Sequence, residues 1–292
     1  MPELPEVETI RIGLSQTLIG LKITDIEVLH PKSFQSSSEL TDLQAIGATI
    51  TKLDRRGKVL IIELNTGYSL LVHLKMTGQM VLIRPEGGRY AGGHPTKSMA
   101  DELPDKSTKV IFRLSDGSIL YFNDQRVFGW IKLVSKAEVL RDSLIARLGP
   151  EPLTEAFELA PFAAVLVRRG GSPIKAVILD QSTVAGVGNI YADESLHLAK
   201  IHPARLAGSL AKPEIKRLYE AIKTIIALGV KRGGTSFTHY VNALGGKGDY
   251  LHSARVFRRQ GLTCPVCESI IIKTRVAGRG THVCPSCQRA PQ

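Results

Sequence analysis

The chain has 292 residues, 43% of them hydrophobic and 22% charged, which is the composition of an ordinary folded protein with room for about two domains. Its formal charge of +11, from 38 Lys+Arg against 27 Asp+Glu, favours a polyanionic partner, nucleic acid first. It has no apolar run of the roughly 18 residues that a membrane span needs, and its acidic start lacks the apolar core of a signal peptide, so a transmembrane helix is not expected and a cytoplasmic, nucleoid-associated protein is.

The chain opens MPELPEVE. Residues 3 to 18 predict a helix: Pro5 suits its first turn, and Val7, Ile10, Leu14 and Leu18 recur at helical spacing. From about 22 to 134 the texture is β. KITDIEVL, KVLIIEL, GYSLLVHLKM, GQMVLIR, KVIFRL and SILYF are short, β-branched and bounded by turn signals. Ser115-Asp116-Gly117 reads as a hairpin turn. Many short strands with close turns favour a sandwich or barrel. Residues 85 to 107 interrupt them with Gly, Pro and polar residues, and predict a long mobile loop.

After 135 the period changes. KAEVLRDSLIARLG predicts a helix that stops at Gly149-Pro150, and SPIKAVILDQ one with a Ser cap and Pro at its first position. AGVGNIYADE is a glycine-rich turn running into a helix. AKPEIKRLYEAIKTIIALGV is the clearest helix, with Ile215, Leu218, Ile222, Ile225 and Ile226 on one face, and it ends at Gly233-Gly234. Residues 235 to 255 read as a loop. The last stretch, 251 to 292, carries seven Lys/Arg against one acid, Glu268, and all four cysteines of the chain.

Those cysteines are Cys264, Cys267, Cys284 and Cys287, a C-x2-C pair, sixteen residues and a second C-x2-C pair. In a chain without a secretory signal this spacing reads as one structural Zn2+ held by four thiolates. Two disulfides are the other reading.

Pro2 and Glu3 carry the candidate chemistry. Removal of Met1 would give Pro2 a free secondary amine. An α-amine titrates near about 7.7–8.0, so much of it is an unprotonated nucleophile at neutral pH. Attack on an aldehyde-level carbon gives a cationic iminium, an electron sink for elimination, and Glu3 is placed to act as general acid. Taken alone, the segment favours the simpler reading, a proline helix opener with acids that complement its dipole. Other segments shift the balance. Lys58 lies in RRGKVLII at a strand entrance, Met76 in HLKMTGQ after a strand, and Arg126 and Phe128 in NDQRVFGW after another. A Met, an Arg and a Phe on loops can enter a duplex together, the apolar groups unstacking bases and the Arg bonding the base left behind. Asn189 and the backbone amides of its glycine-rich turn suit a phosphate. Arg279 sits on a glycine-flanked hairpin tip among the cysteines.

MPELPEVE, RRGK, HLKMTG, DQRVFG, LGPEPL, IKAVILDQ, VAGVGNIYADESL, GGTS and the CPVC…GRGT…CPSCQ tail stand in the order found in bacterial formamidopyrimidine-DNA glycosylases, and the chain resembles that family along its whole length. The resemblance implies an α+β multidomain fold. An N-terminal catalytic two-sheet β-sandwich with an N-terminal helix would cover 1–134. A helical helix–two-turn–helix DNA-binding domain would cover 135–254, with a lesion-capping loop at about 233–250. A C-terminal β-hairpin zinc finger would cover 255–292, with DNA between the domains. It implies a monomeric bifunctional DNA glycosylase and abasic-site lyase of base excision repair, acting on double-stranded DNA with oxidised purines such as 8-oxoguanine and formamidopyrimidines. Pro2 would attack C1′ of the damaged nucleotide and Glu3 donate the proton for base release. Lys58 would contact the neighbouring phosphate and serve β-elimination, and Arg279 would serve δ-elimination. Met76, Arg126 and Phe128 would fill the void left by the flipped nucleotide, and Glu6 would line the pocket. Asn189, Lys175, Arg169 and Tyr250 would lie against the DNA. Many relatives have a DNA-contacting His near the position of Ser107, and Lys109 is the expected substitute. The 85–107 loop is longer than the family leads one to expect. The alternative within the superfamily is an endonuclease VIII-like enzyme preferring oxidised pyrimidines.

Overall fold

The computed structural model describes residues 1–36, 42–94, 96–235 and 248–291. Most of the expected lesion-capping loop therefore lies outside the described residues. The chain divides into two compact units, one of residues 1–146 with 233–248 and one of 147–232 with 249–292.

The first unit opens with α1 (Leu4–Leu18), Pro5 in its first turn and Glu3 at its N-cap. Ten strands follow among the described residues: β1 (Ile23–Val28), β2 (Phe34–Ser36), β3 (Ile50–Arg56), β4 (Val59–Leu64), β5 (Tyr68–His73), β6 (Gly78–Ile83), β7 (Arg89–Gly93), β8 (Thr108–Leu114), β9 (Ile119–Asp124) and β10 (Trp130–Ser135). They form two five-stranded sheets, in the orders β1-β8-β9-β6-β7 and β2-β10-β5-β4-β3. All neighbours are antiparallel except β10 and β2. Inward residues of both sheets, including Ile62, Leu70, Val72, Met80, Phe112, Phe122 and Ile131, make one apolar core, as a sandwich requires. Val7, Ile10, Leu14 and Leu18 of α1 belong to the same core, so the helical spacing read from the sequence is the buried face.

Two sequence expectations fail in this unit. The 85–107 segment is not a structureless loop. It forms the edge strand β7, paired with β6 from Ile83↔Arg89 to Gln79↔Gly93, then a 3-10 turn at Lys97–Met99 that buries Met99. Pairing with β6 overrides the weak strand propensity of RYAGG. KAEVLRDSLIARLG does not form one α-helix either. It forms two 3-10 turns, Lys136–Arg141 and Ile145–Arg147, because the Asp142 carboxylate takes the N–H groups of Leu144 and Ile145. That competition for backbone donors interrupts a helix.

The second unit contains α2 (Leu159–Arg168), α3 (Ile174–Leu179), α4 (Asn189–Leu198), α5 (Lys212–Lys231), α6 (Tyr250–Ser253) and a hairpin of β11 (Ile272–Val276) and β12 (Arg279–Val283). Pro173 is the N-cap of α3 rather than its first helical residue, and α6 interrupts the loop expected at 235–255. α5 buries Ile215, Leu218, Ile222, Ile225 and Ile226, its expected face. α4 is different: every residue from Tyr191 to His197 is buried, so it is the central helix of its unit and carries its polar groups inside.

Candidate functional site

The head of α1 is built around Glu6. Its Oε2 accepts the Glu3 N–H at 2.9 Å, which fixes the backbone of the N-cap. Its Oε1 accepts the N–H and hydroxyl of Thr235 at 2.7 and 2.9 Å. Gly234 makes this approach possible. It has φ +75, and a Cβ there would lie 2.9 Å from Glu6 Oε1, so a side chain is excluded both by conformation and by space. The Glu3 side chain is buried. Pro2 is buried too, behind an exposed Met1.

Lys58 sits on the two-residue turn between β3 and β4, after Gly57 at φ +58. The rung above it pairs Val59 with His73. Lys58 is buried, as is His73. Burial, then the charges of Lys75 and Lys58, push the His73 imidazole down to about 3, so it stays neutral; its Nδ1 accepts the Lys75 N–H at 2.9 Å. The end of β3 is tied to α1 by Glu8, which accepts from Arg55 Nε at 2.9 Å and Arg11 Nη2 at 2.7 Å. Burial alone would raise the Glu8 carboxyl, but these two guanidinium bonds outweigh it and hold it below the usual range.

The third element is the β9–β10 turn, organised by a residue the sequence reading passed over. Asp124, with no exposed surface, accepts the Arg126 N–H through Oδ1 at 3.1 Å and the Phe128 and Gly129 N–H groups through Oδ2 at 2.8 and 2.6 Å. It also accepts the Thr77 hydroxyl from the turn that carries Met76. One carboxylate therefore sets both tips. Val127, at φ +54, takes the left-handed conformation this turn demands. The result is exposed apolar groups on rigid supports: Met76 is 39% and Phe128 52% exposed. The Arg126 guanidinium lies 4.7 Å from the Phe128 ring centroid. The signal for Asp124 was present in the sequence, an acid at a strand end followed by Arg and Gly.

Lys109 takes another place. Its side chain is buried and its Nζ donates to the Lys106 carbonyl at 2.7 Å. Ser107 bonds Asp105 Oδ1 at 2.6 Å and Ser98 Oγ at 3.0 Å.

In the second unit two of the residues expected at DNA, Lys175 and Asn189, converge on the hairpin. Lys175 and Asp193 form an ion pair at 2.6 Å with both side chains fully buried. Lys175 Nζ also donates to Gly280 O at 3.0 Å and Thr281 Oγ1 at 2.8 Å. Asn189 Nδ2 donates to the same Gly280 carbonyl at 3.0 Å. These bonds hold the start of β12, where Arg279 follows a two-residue turn, Ala277 at φ 48 and Gly278 at φ 75, the conformation of a type I′ hairpin. Arg279 itself is exposed. Arg169 is paired with Asp180, Nη1 to Oδ2 at 2.5 Å. Tyr250 is buried, its ring 4.9 Å from that of Tyr191.

The four cysteines converge. Cys267 Sγ lies 3.3 Å from Cys284 Sγ and 3.4 Å from Cys287 Sγ, and Cys264 Sγ 3.9 Å from Cys287 Sγ. A tetrahedral zinc with Zn–S of about 2.3 Å needs sulfurs about 3.8 Å apart, so one ion fits with small adjustments. Ordinary disulfides, with sulfurs about 2.05 Å apart, do not match these separations. The finger is fastened to α4. The Glu194 carboxylate accepts the N–H groups of Arg255, Val256 and Phe257 at 2.8, 2.9 and 2.8 Å, and Asp193 Oδ2 accepts the His282 N–H at 2.9 Å.

Three family profiles cover nearly all of the chain: the formamidopyrimidine-DNA glycosylase N-terminal domain at 1–131, its H2TH domain at 148–241, and a zinc finger found in FPG and IleRS at 261–290. The chain belongs to the formamidopyrimidine-DNA glycosylase family. It is 44% identical to a glycosylase of that name from Pelotomaculum thermopropionicum, covering 99% of each chain, and 41% identical to one from Streptococcus pyogenes, again over 99% of each. The relatives bear the formamidopyrimidine name, so the endonuclease VIII-like alternative is not favoured. Among solved structures, a point mutant of Lactococcus lactis FPG in complex with Fapy-dG DNA matches with a TM-score of 0.87 at 36% identity, covering 99% of this chain and 100% of that one. The same L. lactis protein with abasic-site DNA matches with a TM-score of 0.86 at 36% identity and the same coverage. The expected two-sheet domain, helical domain and hairpin finger are thus the family's fold. No helix among the described residues is long and apolar enough to cross a membrane.

Proposed function

We propose that this chain excises oxidised purines, 8-oxoguanine and formamidopyrimidines, from double-stranded DNA and then cuts the abasic site on both sides, acting as a monomer at the nucleoid. The observation that carries the reading is the head of α1: Pro2 stands next to a buried Glu3 whose backbone is locked by Glu6. The L. lactis relatives hold Fapy-dG and abasic-site DNA, which are the substrate and the intermediate of this scheme.

After loss of Met1, the Pro2 nitrogen attacks C1′ of the flipped nucleotide. The C1′–N bond to the base breaks, and Glu3 supplies the proton that the departing base takes up. The sugar ring then opens: the C1′–O4′ bond breaks, O4′ takes a proton, and the iminium left at C1′ acidifies the neighbouring C2′–H. Loss of that proton expels the 3′ phosphate, a second elimination expels the 5′ phosphate, and hydrolysis frees Pro2. Negative charge on Glu6 stabilises the cationic sugar. Lys58 neutralises the phosphate beside the lesion and assists the first elimination. Arg279, on its hairpin, assists the second. Met76, Arg126 and Phe128 occupy the space the nucleotide vacates. Asn189 and Arg169 stand nearest the phosphates of the helical side. Lys175, Lys109 and Tyr250 act through the surfaces they hold in place. Zinc, when bound by the cysteines, is structural and closes the finger that carries Arg279.

Borohydride reduction of the reaction on an 8-oxoguanine:cytosine duplex tests the scheme. Protein whose intact mass shows Met1 removed is expected to form a covalent DNA adduct that maps to Pro2. Glu3→Gln is expected to lose base excision while still cutting a preformed abasic site. Failure of Met1-free protein to form any adduct overturns the proposal.

A further inference from the structure

α4 brings the finger a donor that is not a cysteine. His197, in the last turn of α4, is buried, and its Nε2 lies 3.5 Å from Cys264 Sγ. A ring nitrogen of His197 and the sulfurs of Cys264, Cys284 and Cys287 all lie within 4.8 Å of one another. A tetrahedral zinc with Zn–S of about 2.3 Å and Zn–N of about 2.05 Å separates N from S by about 3.5 Å, so His197 already stands at co-ligand distance from Cys264. Cys267, by contrast, is the exposed member of the four thiols, the one that solvent, alkylating agents or peroxide reach first. His197 Nδ1 has no hydrogen-bond partner among the described residues, whereas ligating histidines ordinarily hand that N–H to a carboxylate or carbonyl. Without that support the imidazole is the weaker donor, and the Cys267 thiolate holds the position while it is intact.

We propose that His197 is a reserve zinc ligand, which takes the coordination position of Cys267 when that thiolate is lost and converts the site from four thiolates to three thiolates and one imidazole. The exchange moves no electrons. The Cys267 sulfur leaves the ion, the lone pair of a neutral imidazole enters, and the site becomes less negative by one elementary charge.

Zinc content of the purified full-length protein and the absorption spectrum of its cobalt(II)-substituted form test this. Cys267→Ser is expected to keep about one zinc per chain, while Cys284→Ser loses it. His197→Phe, with four thiolates left, is expected to keep its zinc, which also shows that the replaced ring does not prevent folding. Cys267→Ser/His197→Phe is expected to lose the ion. With cobalt(II), Cys267→Ser should lose about a quarter of the thiolate charge-transfer intensity, one of four such ligands. The proposal is overturned if Cys267→Ser loses zinc as fully as Cys284→Ser. Equal retention by Cys267→Ser and the double variant overturns it too, as does loss of zinc from His197→Phe alone.

Discussion

Replacing Lys175 by Met separates two accounts of that residue. If it contacts DNA, as the sequence suggests, the variant should fold normally and bind DNA with a salt slope reduced by about 1. The structure makes a different demand. Lys175 is fully buried, 2.6 Å from a fully buried Asp193, and it donates twice more, to Gly280 O and Thr281 Oγ1. Met fills the space but leaves the buried Asp193 without its cation, with the His282 N–H bond as compensation. Breaking a buried pair in this way costs about 3–5 kcal/mol. At roughly 2–4 °C per kcal/mol for a protein of this size, the melting transition should fall by about 10 °C. Lys175→Met/Asp193→Leu, which removes both charges, should recover much of that loss. Both variants leave the Gly280 carbonyl to Asn189 alone, so, on the role proposed for Arg279, both should shift the cleavage products from the δ- toward the β-elimination product as its hairpin loosens. Scanning fluorimetry and product gels on an abasic duplex measure these effects. A Lys175→Met protein that melts within about 1 °C of the wild type would refute the positioning account.

Asp124→Ala strands the buried Gly129 N–H, worth about 1–3 kcal/mol, and removes the part-buried bonds of Arg126, Phe128 and Thr77 as well. It should lower stability by several kcal/mol in total and reduce excision from intact 8-oxoguanine duplex more than scission of a preformed abasic site, as paired single-turnover assays would show. Glu8 has a lowered carboxyl pKa, so its contribution is fully present above the ordinary value of 4.5 and is lost as pH falls through the lower folded value. The melting-temperature gap between wild type and Glu8→Gln should therefore hold at neutral pH and close progressively as pH falls below 4.5, a trend that a pH series of thermal scans would follow. Gly234→Ala introduces a Cβ against Glu6 at a positive φ, so single-turnover excision should fall at least about tenfold, equivalent to about 1.4 kcal/mol of lost positioning.

Much of this molecule was legible in its sequence, and the failures have specific causes. The short β-branched runs are strands, the α1 and α5 stripes are the buried faces, and the cysteine spacing marked its own site. The 85–107 segment misled because Gly92 and Gly93 carry no strand signal of their own; pairing with β6 supplies it. The 136–149 segment has helical spacing, yet the Asp142 side chain takes the N–H bonds a helix would use. Neither effect is local enough to be read from propensity.

The hardest part to read was α4. Asn189, Asp193, Glu194 and His197 are polar, so a sequence reading sends them to solvent or to a phosphate. Instead Asp193 meets Lys175 and the His282 N–H, Glu194 meets three N–H groups before the finger, and His197 meets Cys264, while Asn189 at the exposed start also donates to the Gly280 carbonyl. A helix buried on all sides has no amphipathic stripe to reveal it. Its polar residues satisfy backbone groups that a short finger cannot satisfy for itself, since that finger's own apolar cluster is only Val256, Ile271 and the cysteines. The finger is thus positioned by hydrogen bonds with fixed geometry rather than by apolar contact, which can slide. On the proposed reading, in which the hairpin carries Arg279 to a phosphate, these bonds supply its accuracy.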